Sequence, residues 1–175
     1  MESKKIDSNK VYIEYNAIPT DLITQIVTYA KAQKSVRTNH TSWRESVIGL
    51  SGPIYSIDIT DELKVEVQNA VASIFPDFNI LSYTMDAAYT LGGRYSYIPW
   101  HDDGIHKLAV TVYLNETWDK DWAGCLLYQE QGANEIKAIY PEFNKAVLIS
   151  APIQHTTVMP NIQAPLRVSL QLFFR

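Results

Sequence analysis

Leu108-Ala109-Val110-Thr111-Val112-Tyr113-Leu114-Asn115 alternates along its length, with Leu108, Val110, Val112 and Leu114 on one face and Ala109, Thr111 and Tyr113 on the other. A period of two belongs to a β-strand, in which successive side chains point to opposite sides of the sheet. The apolar face of this strand predicts a packed core on one side, and the mixed face predicts a lining for something else on the other.

The same period extends in both directions from here. Short runs rich in β-branched and aromatic residues, broken by Gly, Pro, Asn and Asp, predict strands near 79–90, 93–101, 108–114, 124–129, 135–140, 145–150, 154–159 and 166–174. Before residue 78 the period is about 3.6. Thr20-Asp21 opens a helix whose stripe is Leu22, Ile23, Ile26, Val27 and Ala30, and Thr60 opens a second with Leu63, Val67, Ala70, Val71 and Ile74, stopped by Pro76. Two helices followed by many closely spaced strands leave no room for the crossover helices that parallel strands need. The chain therefore reads as α+β, an antiparallel jelly roll with both helices packed on one sheet.

The sequence has 175 residues, 46% of them hydrophobic, and can bury about two-thirds of its unfolded surface. That suits one domain over 1–175, with a core over about 79–175. The polar start, MESKKIDSNK, has no apolar run behind it, and no stretch approaches the roughly 18 apolar residues of a membrane helix. The single cysteine, Cys125, reads as a buried strand thiol, which fits a reducing, cytoplasmic setting. With 15 basic and 19 acidic residues, a net charge of −4 and no basic stripe, nucleic acid and membrane are not expected partners. Residues 34–58 lack a strong period and read either as a functional lid or as a surface excursion with one short strand.

In Trp100-His101-Asp102-Asp103, residues two apart share a side, so His101 and Asp103 can present an imidazole and a carboxylate to one point while Asp102 faces away. His-x-Asp alone is a weak signal. His155, in Ile153-Gln154-His155-Thr156-Thr157-Val158, supplies a third candidate, and two histidines with one carboxylate form the facial set for non-haem Fe(II). The competing reading of His155 is a lone core histidine.

In Leu166-Arg167-Val168-Ser169-Leu170-Gln171-Leu172-Phe173, Arg167, Ser169 and Gln171 share the face opposite Val168, Leu170 and Leu172. A guanidinium inside a barrel is costly unless a carboxylate matches its planar fork, and a dicarboxylate ligand would do so. Ser169 can add a hydrogen bond. The competing reading is an edge strand with a wet polar face. Tyr113 reads either as a phenol donor to the same carboxylate or as an ordinary half-buried strand tyrosine. His40 and His106 read as surface residues.

Taken in order, Tyr89-x-x-Gly92-x-x-Tyr95, His101-x-Asp103, Val112-Tyr113-Leu114-Asn115 with Trp118, Gly124-x-Leu126, Pro141-x-Phe143-Asn144, His155 and Arg167-x-Ser169 resemble the 2-oxoglutarate/Fe(II) oxygenase superfamily, in its prolyl hydroxylase-like branch. The likeness covers roughly residues 85–175. It implies that His101, Asp103 and His155 bind iron and that Arg167, helped by Tyr113 and Ser169, binds the far carboxylate of 2-oxoglutarate. It also implies molecular oxygen, with ascorbate as an optional reductant. The activity implied is hydroxylation of a prolyl residue in a peptide or protein, the alternatives being a hydroxylase of free proline or another amino acid, or a non-catalytic metal-binding jelly-roll module.

Arg167 in place of lysine looks more like the oxygen-sensing prolyl hydroxylases, whereas Arg37-Thr38 followed by Trp43 is similar to the collagen-modifying ones. Three features depart from the family pattern. The interval from Tyr95 to His101 is longer, the usual Gly-Gly pair is Ala123-Gly124, and the segment from His155 to Arg167 carries Pro160 and Pro165. Tyr95, Tyr97, Trp100, Trp118 and Trp122 flank the candidate site and read either as substrate contacts or as loop anchors.

Overall fold

The computed structural model describes residues 10–38 and 51–175. Among these residues, two α-helices, α1 (Thr20–Ala32) and α2 (Asp61–Ile74), stand beside eleven strands. These are β1 (Val11–Tyr15), β2 (Arg37–Thr38), β3 (Ile54–Asp58), β4 (Met85–Gly92), β5 (Ile98–His101), β6 (Leu108–Tyr113), β7 (Leu126–Gln129), β8 (Lys137–Ile139), β9 (Lys145–Ser150), β10 (Gln154–Thr157) and β11 (Arg167–Phe174). They form a seven-stranded sheet in the order β1-β9-β6-β11-β4-β3-β2 and a four-stranded sheet in the order β5-β10-β7-β8. Every pairing is antiparallel.

The alternation read from sequence sorts the large sheet into two faces. Val110, Val112, Leu148, Leu170 and Leu172 face the helices, where they bury Ile26, Leu63, Val67 and Val71. The opposite face turns toward the small sheet, and Tyr113, Val147 and Ile149 pack there against Leu126, Tyr128, Ile139 and Ile153. Ile54 of β3 meets Ile98 of β5 across the same gap. The central strands of the large sheet thus send one set of side chains into a helix-covered core and the other into the space between the sheets.

The helix ends differ in part from expectation. Thr60 caps α2 as expected, its hydroxyl accepting from the Leu63 N–H at 3.3 Å. Thr20 does not cap α1: Pro19 takes the cap position, and Thr20 lies in the first turn with its carbonyl accepting from Thr24 Oγ1. Pro19 is suited to that place because its ring fixes φ and its missing N–H has no helical partner to lose.

The first strand after α2 starts later than expected. Short 3-10 turns at Pro76–Phe78 and Ile80–Ser82 precede β4, joined at Asn79 with φ +48°, and the Gln68 side chain donates to the carbonyls of Ile80 and Tyr83. The expected strand 93–101 is shortened to β5, because residues 93–96 form a turn closed by Ser96 N–H on the Gly93 carbonyl. The strands β1, β2 and β3 were not foreseen individually, although β3 realises the short strand allowed within 34–58. The expected lid over that interval lies partly outside the described residues, and His40 and Trp43 lie wholly outside them. Cys125 is buried at the start of β7, as expected. No helix among the described residues is long and apolar enough to cross a membrane.

Candidate active site

His101 ends β5, and His155 lies directly opposite it on the neighbouring antiparallel strand β10. The pairing carries one irregularity: Ile98 and His101, three residues apart, face Thr157 and His155, two residues apart, so β5 holds an extra residue at Pro99-Trp100. Such a bulge rotates the strand locally and re-aims the side chains beyond it. Here it lets Ile98 and His101 both face the interior, and it takes up part of the long interval between Tyr95 and His101.

The two imidazoles stand with ring centroids 4.2 Å apart. His101 Nδ1 lies 2.7 Å from the Pro99 carbonyl oxygen and His155 Nδ1 lies 2.9 Å from that of Ile153. A carbonyl only accepts, so both rings donate from Nδ1, and in the neutral imidazole the lone pair is then on Nε2. Asp103 completes the group, with Oδ1 3.8 Å from His101 Nε2 and Oδ2 3.7 Å from His155 Nε2. The three ligand atoms all lie within 4.8 Å of one another, close enough for a single cation to touch each. Burial lowers the His101 pKa below the usual imidazole range, and His155 beside it lowers it further, against the upward pull of Asp103. A neutral imidazole with a free Nε2 is the form that binds a metal. Asp102 does face away, its carboxylate accepting from the Gly104 N–H at 2.8 Å and from Gln154 Nε2 at 3.4 Å.

Arg167 opens β11 on the face toward the small sheet and is only 6% exposed. Among the described residues no carboxylate forms an ion pair with it. Burial works against its charge, and Tyr113 stands beside it, with its ring centroid 5.9 Å from the guanidinium carbon. Tyr113 is completely buried, not half-buried, and among the described residues its hydroxyl makes no well-formed hydrogen bond, its contact with the Arg167 guanidinium being only a weak one. Burial raises the phenol pKa, and the guanidinium charge offsets part of that rise. A buried cation beside such a phenol has the chemistry to take an anion.

Ser169 and Tyr113 are cross-strand partners, and Ser169 is also the partner of Thr90, whose hydroxyl lies 2.8 Å from the Ser169 hydroxyl. Ser56 on β3 continues the same rung, buried and without a hydrogen-bond partner at Oγ. Gln171 accepts from Thr111 Oγ1 at 3.1 Å on the same face of the sheet. Thr90 and Ser56 were not singled out from sequence. Their signal was the strand register, which no single run of residues carries.

The aromatic residues divide. Trp118 and Trp122 pack edge to face at 5.6 Å, and Trp118 Nε1 donates to the Ala123 carbonyl, so they anchor their own loop. Tyr95, Tyr97 and Trp100 are exposed. His106, expected at the surface, is buried, with its ring against Phe173 and Nδ1 on the Asp103 carbonyl oxygen. The His-x-Asp pair leads into a turn in which His106 points inward while Ile105 is exposed.

The profile of the 2OG-Fe(II) oxygenase superfamily matches residues 85–175, just over half of the chain. The chain belongs to that superfamily, whose members use Fe(II), 2-oxoglutarate and oxygen. Several prolyl hydroxylases share its fold. A crystal structure of a Pseudomonas putida prolyl-4-hydroxylase superposes with a TM-score of 0.75 at 16% identity, over 97% of this chain and 93% of that one. A Trichoplax adhaerens prolyl hydroxylase, in complex with a peptide fragment of a hypoxia inducible factor oxygen degradation domain, gives 0.69 at 16% identity over 97% and 84%. A viral collagen prolyl hydroxylase from Paramecium Bursaria Chlorella virus-1, in its 2OG complex, gives 0.67 at 10% identity over 94% and 95%. No curated protein sequence matches the chain.

Proposed function

We propose that this chain is a single-domain 2-oxoglutarate-dependent dioxygenase, its two sheets forming a double-stranded β-helix, and that it hydroxylates a prolyl residue in a peptide or protein. His101, Asp103 and His155 would hold Fe(II), and Arg167, with Tyr113 and Ser169, would hold the far carboxylate of 2-oxoglutarate. The observation that carries this reading is a buried guanidinium that no carboxylate among the described residues pairs with, beside a buried phenol hydroxyl that makes no well-formed hydrogen bond. A dicarboxylate satisfies both at once.

When bound, iron and co-substrate supply the oxidising power for inserting oxygen into a C–H bond. The chain's own residues do the rest. The Pro99 and Ile153 carbonyls fix the tautomer and plane of the two imidazoles, so that Nε2 of each points to one spot. Arg167 and Tyr113 orient the co-substrate from its far end, and orientation is what a fixed site contributes most to such a reaction. Their burial keeps water from competing for the carboxylate. The exposed faces of Tyr95, Tyr97 and Trp100 suit a prolyl ring in an extended peptide. The peptide-bound Trichoplax adhaerens enzyme, alike in fold, supports a peptide substrate.

The test is succinate formed from 2-oxoglutarate with Fe(II) and ascorbate, with proline-containing peptides, free proline, or neither. Stimulation by a peptide, lost in Asp103→Ala and His155→Ala, is the expected result. Stimulation by free proline alone would make the chain an amino-acid hydroxylase, and wild-type turnover by Asp103→Ala would overturn the metal assignment.

A further inference from the structure

Two of the three residues proposed to hold the metal are fixed by strand pairing, His101 and His155 being opposite one another in the ladder. Asp103 is not, because β5 ends at His101. Its carboxylate must be aimed by the turn after the strand. Gly104 takes φ +62°, and its N–H is held by Asp102 Oδ1 at 2.8 Å on the outer side of that turn.

On the inner side stands His106, 3% exposed. Its backbone N–H donates to the Asp103 carbonyl at 3.2 Å, and its Nδ1 lies 2.9 Å from the same oxygen. The oxygen only accepts, so Nδ1 is the donor, and in the neutral imidazole the lone pair is then on Nε2. That Nε2 is buried without a hydrogen-bond partner. The ring lies 4.7 Å from Phe173, tilted by 36°.

A buried acceptor without a partner is a burden on the fold. A phenylalanine at 106 would keep the contact with Phe173 and avoid that burden. What an imidazole offers beyond a phenyl ring is the Nδ1–H. Its recipient is the backbone of the one proposed ligand that no strand holds.

We propose that His106 is a positioning residue for Asp103: by giving the Asp103 carbonyl two donors from one residue, it locks the 103–106 turn and so directs the carboxylate at His101 and His155. The inference rests on the proposed metal site for its consequence, though not for the turn itself.

Two variants separate donor from ring. His106→Phe keeps the ring and loses the donor; His106→Asn keeps an N–H near the place of Nδ1 and loses the ring. Titration with Mn(II) under anaerobic conditions, followed by calorimetry, should show binding weakened about 10–100-fold in His106→Phe and within about threefold of wild type in His106→Asn. The thermal midpoint of metal-free His106→Phe should equal or exceed that of wild type, which a purely structural role would not give. Hydrogen exchange of the metal-free protein should show the residue-106 amide opening faster in His106→Phe than in wild type or His106→Asn, with the amides of β6 and β11 unchanged. Wild-type Mn(II) affinity together with wild-type exchange in His106→Phe would overturn the proposal, as would equal losses in both variants. Should the wild type bind no Mn(II), the proposed metal site fails, and the exchange comparison still decides the role of His106.

Discussion

Arg167 sets the ligand-free protein against its ligand. A guanidinium taken out of water without a carboxylate partner costs stability, and the same unmatched charge gives an incoming dicarboxylate a fork to fit. Arg167→Met is therefore expected to raise the stability of the ligand-free chain by on the order of 1 kcal/mol. It should also weaken 2-oxoglutarate roughly 100-fold, the loss of charged hydrogen bonds made in a buried site. Urea unfolding and a 2-oxoglutarate titration on the same two proteins check both signs, and a variant less stable than wild type would contradict the account of an unpaired charge. At this scale the sequence was readable wherever a strand carried the residue. Alternation placed Arg167 and Ser169 on the polar face of one strand and Tyr113 on the mixed face of another, because each sits in a regular strand. It failed for His106, which lies in a turn, where no period says which way a side chain points. It also underestimated Tyr113, since complete burial depends on the opposite sheet and not on the strand itself.

Among the elements, the turn before β7 shows what a departure from the family pattern means physically. Ala123 stands where a glycine is usual and adopts φ +56°, ψ −133°, a conformation that suits a residue without Cβ. Gly124 comes next at φ +69°, and a Cβ there would lie 2.8 Å from Trp118 Cζ2. The backbone therefore has a shape that two glycines would take without strain, although the first residue is alanine. Ala123→Gly, a substitution that ordinarily destabilises, should here be stabilising by up to about 1 kcal/mol, or ~2–4 °C in thermal midpoint. Gly124→Ala should lower the midpoint. A drop in both would show that position 123 is not strained. The strands around this turn were legible to within a few residues, because each has its own alternation. The strands β1 and β3 were harder, since their pairings with β9 and β4 join distant parts of the chain. A five-residue run such as Val11–Tyr15 does not by itself announce a distant partner.

Across the whole molecule the proposed ligands divide between the sheets. His101 and His155 belong to the four-stranded sheet, whereas Arg167, Tyr113 and Ser169 belong to the seven-stranded one. Iron and co-substrate would therefore join the sheets as well as occupy them. Either one alone, at about 100 times its dissociation constant, should stabilise by about 2.7 kcal/mol. Mn(II) and 2-oxoglutarate together are expected to give more than the sum of the two separate effects. Thermal melts with each and with both would measure the excess, which should vanish in Arg167→Met; its persistence there would mean that the far carboxylate is held elsewhere. The two-sheet architecture itself was foreseen from helices followed by strands. The distribution of the site over both sheets was not, because it depends on which strands neighbour one another.

The apolar layer that separates those sheets acquires a second meaning from this division. Val147, Ile149 and Ile153 press against Leu126 and Ile139 and keep the two β-layers at a set spacing, although no chemical role falls to any of them. With the proposed metal ligands on one jaw and Arg167 on the other, that spacing would work as a caliper. A diacid of the right length closes the measurement, whereas one a methylene longer must force apart a packed interior that resists even small changes in volume.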